Sequence, residues 1–206
     1  MIVKKYNGGV YGGSNTYVCI NDNKAIIIDA GVSLDTFQDD LKDIDVVAVF
    51  ITHAHFDHIY YLEDYMEKFN PELYISDNGY RKLYDSYRNM SLWFKEEMLE
   101  QDIDSTFEEV VLSKKYDYSP LLDNENIIEA GLKIKAIYTP GHSSCSFTFV
   151  INEDTAFVGD LIFKNGVGRT DFEDGDSRTL VQSVMRLKEF SKLRHIHSGH
   201  GESTHI

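Results

Sequence analysis

The sequence predicts a mixed α/β fold in one domain spanning 1–206, with a helical insertion around 77–112. Short apolar runs rich in β-branched residues, each bounded by polar or turn-forming residues, read as strands. Between them lie stretches whose apolar residues recur three and four apart, the spacing of amphipathic helices. No internal repeat is present, and 206 residues can bury a sizeable core. A hydrophobic fraction of 42% and 13% aromatics argue against disorder.

Residues 2–6 read as an opening strand, followed over 7–15 by the Gly-rich loop Asn7-Gly8-Gly9-Val10-Tyr11-Gly12-Gly13-Ser14-Asn15. The loop lacks the Gly-Lys-Ser/Thr ending of a phosphate-binding P-loop, so it gives a nucleotide site little support. Strands over 16–20 and 25–29 are joined by Asn21-Asp22-Asn23-Lys24, good hairpin material. Leu34, Phe37 and Leu41 predict a short amphipathic helix. The run Asp45-Val46-Val47-Ala48-Val49-Phe50-Ile51 reads as a buried strand.

Leu62, Tyr65, Met66 and Phe69 fit one helical face, which Asn70-Pro71 ends before a short strand over 73–75. From Asp77 to Leu112 the chain is tyrosine-rich and charged, with helical spacing over 91–99. This insertion either roofs a site with tyrosines, Trp93 and Phe94, or packs as ordinary core. Further on, 132–138 reads as a strand, 146–151 with 155–159 as a hairpin, and 164–176 as a polar loop. A helix over 177–190 places Leu180, Val181, Val184, Met185 and Leu187 on one side, and 194–198 is the last strand.

Chemistry concentrates in Thr52-His53-Ala54-His55-Phe56-Asp57-His58, the loop leaving the C-terminal end of the 45–51 strand. On extended backbone, residues two apart point the same way, so His53 and His55 can grip one ion together. Asp57 and His58 follow where the chain turns and could reach a second ion. His142 after Thr139-Pro140-Gly141, Asp160 after Gly159 and His200 after Gly199 also sit just past strand-like runs. There a sheet edge meets loops. Such a donor set suits divalent metals.

The pattern His53-x-His55-x-Asp57-His58, followed by Gly141-His142, Gly159-Asp160 and Gly199-His200, resembles the signature of the metallo-β-lactamase superfamily. The landmarks run from 53 to 200, nearly the whole chain. The resemblance implies an αββα four-layer sandwich, two sheets packed face to face with helices outside. It implies two divalent metal ions, with zinc favoured over iron or manganese. His53, His55 and His142 would hold the first, Asp57, His58 and His200 the second, and Asp160 would bridge them. Two such ions roughly 3.5–4 Å apart supply a hydroxide at neutral pH, which Asp57 would help orient toward a polarised carbonyl.

Within the family the chain looks closest to glyoxalase II-like hydrolases. Asp160 in place of a cysteine ligand disfavours β-lactam cleavage. Asn89-Met90-Ser91-Leu92 and Val167-Gly168-Arg169-Thr170-Asp171-Phe172 resemble stretches of the small single-domain bacterial members. Arg169 matches a basic substrate-binding position, where a guanidinium suits a carboxylate. Its competing reading is an ion pair with Asp171 or Asp174. Full-length glyoxalase II carries a further C-terminal helical region with glutathione contacts, which this chain is not expected to share. Tyr60-Tyr61 stands where the family commonly has small residues, and Ser143-Ser144-Cys145 replaces a commoner Thr-Pro-Gly. Both departures flank the site and bear on the substrate more than on the metals.

The expected function is metal-dependent hydrolysis of a small-molecule thioester of the hydroxyacylglutathione type. Alternatives are an acyl-lactone hydrolase and a persulfide dioxygenase using one iron held by His53, His55 and Asp160. A metal-binding protein without activity, its cleft closed by Tyr60-Tyr61, is the non-enzymatic alternative. The net charge of −14 disfavours nucleic acid and anionic membrane as partners. No apolar run approaches the ~20 residues of a membrane span, and Asn7-Gly8-Gly9 interrupts any signal-peptide core. A cytoplasmic protein is therefore expected. Cys19 and Cys145 give no disulfide framework. Cys19 reads as core, while Cys145 reads equally as a thiol near the metals or as a buried one. His195, His197 and His205 match no ligand position.

Overall fold

Two six-stranded sheets dominate the computed structural model, which describes residues 1–8, 13–103 and 106–205. Residues 9–12 of the Gly-rich loop lie outside that description. The first sheet orders β1 (Ile2–Tyr6), β2 (Thr16–Asn21), β3 (Lys24–Ile28), β4 (Asp45–Phe50), β5 (Glu72–Ile75) and β6 (Ser119–Pro120) as in the chain. Its first three strands are antiparallel neighbours, and β3 to β6 run parallel. The second sheet uses β7 (Glu125–Glu129), β8 (Leu132–Tyr138), β9 (Phe147–Ile151) and β10 (Thr155–Gly159). After the small ribbon β11 (Ile162–Phe163) and β12 (Gly166–Val167), it is completed by β13 (His195–Ser198) and β14 (Thr204–His205). Its order is β14-β13-β10-β9-β8-β7, with only β10 and β13 parallel.

The period-two alternation of strands explains how these sheets stack. Tyr17, Cys19, Ile26, Ile28 and Phe50 turn one way and meet Ile134, Ala136, Phe149 and Phe157 of the second sheet. Their neighbours Val18, Ile27, Val49 and Ile51 turn the other way, onto Leu62, Tyr65 and Met66 of the helix Leu62–Phe69. On the far side, Ile137, Val150, Ala156 and Ile196 pack against Leu180 and Leu187. The layers are thus helix, sheet, sheet, helix, the αββα sandwich expected. Central strands are buried on both faces, which is why β3 and β4 read as continuous apolar runs.

Helices α1 (Phe56–Ile59), α2 (Leu62–Phe69), α3 (Asp77–Lys82), α4 (Ser91–Glu100) and α5 (Ser177–Leu187) follow in chain order. Asn70 at φ +46° closes α2 just before Pro71. The Ser76 hydroxyl caps α3 by accepting from the Gly79 N–H at 3.1 Å. Two details depart from expectation. Leu34 to Leu41 is not one helix but two 3₁₀ turns, Leu34–Thr36 and Gln38–Leu41. Phe37 separates them at φ −143°, because its ring is buried between Tyr6, at a centroid distance of 4.7 Å, and Tyr65, at 5.8 Å. On α5, Val181 and Met185 are exposed while Leu180, Ser183 and Leu187 are buried. At about 100° per residue, positions 181 and 185 fall outside the stripe that 180, 184 and 187 share. Among the described residues, no helix is long and apolar enough to cross a membrane.

Candidate metal centre

Every ligand-type residue singled out from the sequence follows the C-terminal end of a strand. β4 leads to His53 and His55, and α1 then carries Asp57 and His58. His142 follows β8, Asp160 follows β10 and His200 follows β13. The two sheets are stitched together beside these residues. The Phe147 N–H donates to the Thr52 carbonyl at 2.8 Å, and the Asn15 N–H to the Gly199 carbonyl at 2.6 Å. The structure therefore gathers all seven side chains in one place. Three overlapping groups have converging ligand atoms: His53, His55, His142; His53, His58, Asp160; and Asp57, His58, His200.

Asp160 lies between the two ends of the cluster. Its Oδ1 is 3.4 Å from His58 Nε2, and its Oδ2 is 3.5 Å from His142 Nε2 and 3.4 Å from His200 Nε2. His142 Nε2 is 3.0 Å from His55 Nδ1, and Asp57 Oδ2 is 3.1 Å from His200 Nε2. Such close approach needs room that a side chain would fill. A Cβ on Gly199 would lie 2.1 Å from Asp160 Oδ1 and 2.7 Å from His58 Cε1. Gly159, at φ +51°, would place one 2.7 Å from Thr52 Oγ1. Glycine is required at both positions.

Ring orientation is fixed from behind. His58 Nδ1 donates to Asp29 Oδ2 at 2.8 Å, leaving Nε2 to face the cluster. Asp29 is itself buried and accepts from the Thr52 N–H and hydroxyl, both at 2.7 Å. His142 Nδ1 donates to the Arg169 carbonyl at 2.8 Å, which again turns Nε2 inward. His53 Nε2, His55 Nε2 and Asp160 Oδ1 are buried and lack a hydrogen-bond partner. Polar atoms left so in a protein interior are costly. A cation among them would satisfy them.

The electrostatics divide the cluster in two. Burial pushes His53 well below the ordinary imidazole range, with His58 and His55 adding to it, and burial with His142 pushes His55 to about 3. Burial also lowers His142. These three imidazoles are neutral at pH 7 and offer lone pairs, as metal ligation requires. At the other end, burial opposes charge on His58, but Asp57, Asp29 and Asp160 outweigh it and raise the pKa. His200 is likewise held up at about 10 by Asp160 and Asp57 against burial. Burial would raise Asp160 and Asp57, yet His58 and His200 hold both below the usual carboxylate range. Acidic groups here draw protons onto histidines, the place a metal cation would take. The donor set and its orphaned atoms fit two divalent ions.

The surroundings resolve several expectations. Cys145 is buried in the helix-side core, and its Sγ accepts from the Ala54 N–H at 3.4 Å. It belongs to none of the ligand groups, so the buried-thiol reading holds. Cys19 is core between the sheets, where burial pushes its thiol up. His197 stacks on Phe157 with ring centroids 4.8 Å apart, and it belongs to none of the ligand groups. Tyr60 and Tyr61 do not line the cleft over the centre, so they do not close it. That cleft, about 530 Å³, is instead walled by Trp93 and Phe94 of α4, with Phe172 and Arg169 opposite. The 77–112 segment thus does contribute Trp93 and Phe94, whereas Tyr80 and Tyr84 pack against Tyr118 and Tyr116 and the core behind them. Arg169 donates to both carboxylate oxygens of Asp171, at 2.9 and 2.8 Å, and lies over the Phe172 ring at 4.7 Å.

Sequence reasoning missed Asp29 and Lys82, and named Asp174 only as a partner for Arg169, which pairs instead with Asp171. Asp29 ends a strand as Asp160 does, which was the available signal. Lys82 is buried, bonding Ser143 Oγ at 2.8 Å and pairing with Asp174. No spacing rule connects it with a residue 92 positions later.

Comparison with known proteins agrees with this geometry. The family model described as the metallo-beta-lactamase superfamily matches residues 9–200. A probable metallo-hydrolase of Methanocaldococcus jannaschii is 33% identical over 216 residues, covering 98% of this chain and 93% of the relative. The hydroxyacylglutathione hydrolase GloC of Haemophilus influenzae is 26% identical over 191 residues, covering 90% and 84%. Among solved structures, the crystal structure of BLEG-1 B3 metallo-beta-lactamase superposes with a TM-score of 0.85 at 27% identity, covering 99% and 94%.

Proposed function

The chain belongs to the metallo-beta-lactamase superfamily, and we propose that it is a metal-dependent hydrolase whose dinuclear centre opens thioesters of the hydroxyacylglutathione type. One observation carries the reading: the buried group His53, His55, His142 and the partly buried group Asp57, His58, His200 lie side by side, with Asp160 between them, under an open cleft. In this reading His53, His55 and His142 would hold one ion, Asp57, His58 and His200 the other, and Asp160 would serve both. When bound, a pair of divalent ions lowers the pKa of water from about 15.7 to about 7 and polarises a substrate carbonyl.

The chain's own residues do the rest. Asp29 keeps His58 in one tautomer, and the Arg169 carbonyl does the same for His142. Asp57, its backbone carbonyl fixed by the Ser14 hydroxyl at 2.6 Å, orients the attacking water. A thiol leaves as thiolate with an ordinary pKa near 8.5 and needs no strong acid. That suits a cleft whose described lining has no tyrosine or lysine to protonate a poorer leaving group. Arg169 meets a carboxylate on the thiol part. Its pair with Asp171 is exposed and screened by water, so a substrate carboxylate can replace it.

The thioester reading draws on the likeness to the Haemophilus enzyme and on Arg169. The presence of Asp57, His58 and His200 as a second complete group favours two ions over a single-iron dioxygenase. Likeness to a B3 metallo-beta-lactamase supports a second reading, opening of a cyclic amide. The test is a side-by-side assay of the purified protein on S-lactoylglutathione, an acyl lactone and a chromogenic cephalosporin, with oxygen uptake on glutathione persulfide. Turnover concentrated on the thioester supports the proposal. Turnover on the cephalosporin or lactone alone, or oxygen uptake, moves the protein to another branch.

A further inference from the structure

The cleft over the centre, at about 530 Å³, has an ordinary size for a small-molecule site. Its walls are more apolar than a short hydroxyacyl group needs. Phe56, Met90, Trp93, Phe94, Phe163 and Phe172 all line it. Phe56 and Phe94 also have structural work, packing on Phe107 with centroids 5.6 and 5.1 Å away. Trp93 and Phe172 differ. Trp93 is 41% exposed, unusual for so large an apolar side chain, and faces Phe172 edge-on at 6.5 Å. Phe172 in turn lies 5.3 Å from the His55 ring and 5.6 Å from the His142 ring. Apolar surface therefore reaches the ligand histidines themselves.

Two further features fit a built wall. Met90 takes a left-handed backbone, φ +72°, immediately before α4, a conformation non-glycine residues hold only where the surroundings impose it. The turn it makes launches the helix that carries Trp93. Away from the ligand cluster, the charged lining residues are Arg169 and Glu97. The cleft thus offers Arg169 to an anionic thiol and an aromatic wall to what is attached to it.

We propose that the acyl part of the substrate is apolar or aromatic, a medium-length alkyl or an aryl group, packed on the surface that Trp93 and Phe172 form together by their edge-on contact. This rests on the thioester reading and names its acyl side. Trp93 and Phe172 are then specificity-determining residues. A lactoyl group would leave that surface uncovered, whereas a hexanoyl or benzoyl group would cover it.

The chain's single tryptophan is Trp93, so its fluorescence reports on that surface directly. Product carboxylates (lactate, acetate, butyrate, hexanoate, benzoate) would be titrated into metal-loaded protein while Trp93 emission is followed. Affinity should rise about two- to fourfold per added methylene, the gain expected for burying each one. Benzoate should bind more tightly than lactate. Phe172→Ala, checked for folding by thermal melting, should flatten the series without weakening acetate. Equal affinity for lactate and hexanoate, or an unchanged series in Phe172→Ala, would overturn the proposal. Because binding is read without turnover, this result stands apart from the thioester reading. That reading fails separately, if neither lactoyl nor hexanoyl thioesters of one thiol are hydrolysed.

Discussion

Asp29 satisfies three donors with two oxygens: the Thr52 N–H, the Thr52 hydroxyl and His58 Nδ1. Asp29→Ala would leave the last free to rotate and the buried amide unpaired. Metal affinity should fall about 10–100-fold, the usual effect of removing an orienting partner behind a ligand. Competition with a chromogenic chelator measures it, and an unchanged affinity would show that His58 needs no such partner. Asp57→Ala should cut kcat about 10²–10⁴-fold with the circular dichroism spectrum kept. Wild-type turnover in that variant would remove Asp57 from the chemistry. Arg169→Ala should raise KM for anionic thioesters up to about fivefold and leave neutral ones alone, in keeping with an exposed charge. Equal changes for both substrates would end its anchoring role. The ligand-type residues stood out in the sequence because histidines rarely cluster by accident. Asp29 did not, because a single acid after an apolar run looks like any strand end.

At the scale of elements, α3 is tied to the 164–176 loop and to the turn after His142 through one group. Asp174 accepts from Lys82 Nζ, from the Ser144 N–H at 2.9 Å and from the Ser144 hydroxyl at 2.6 Å. Burial would raise the Asp174 carboxyl, but Lys82 and Ser144 hold it well below the usual range. A depressed folded pKa gives stability that is complete above the unfolded value, about 3.9, and is lost as pH falls below it. Lys82→Met should cost about 1.5–3 kcal/mol at pH 7. Asp174→Asn should cost more, because it leaves the lysine buried with Ser143 as its remaining side-chain partner. Thermal melting of wild type and variants at pH 7 and pH 3 checks this. The gap must shrink at the lower pH, and a constant gap would mean Asp174 is not held ionised by this network. Elements whose apolar stripe faced one partner were legible from spacing, as with α2. Leu34 to Leu41 was not, because Phe37 is pulled out of helical geometry by Tyr6 and Tyr65, one of them 31 residues before it in sequence from the other sheet edge and neither signalled by local pattern.

For the whole molecule, the two sheets were readable because their buried strands are apolar on both faces, while His53 to His58 marked where one of them ends. What the sequence left open was what closes around that centre. Trp93 and Phe172 stand 79 positions apart in elements with no shared periodicity, and only the packing of α4 against the 164–176 loop brings them to one cleft. The same holds for Asp160, whose position between His58 and His142 depends on both sheets being stacked in register. The central claim, a two-ion hydrolytic centre, is tested most directly by metal content per chain in protein purified without added metal, with thioester turnover measured on the same sample. The account predicts about two equivalents of divalent metal, with turnover lost on chelation and restored by the ion removed. Full turnover from protein carrying no metal, or a single tightly held ion that alone sustains it, would contradict the account.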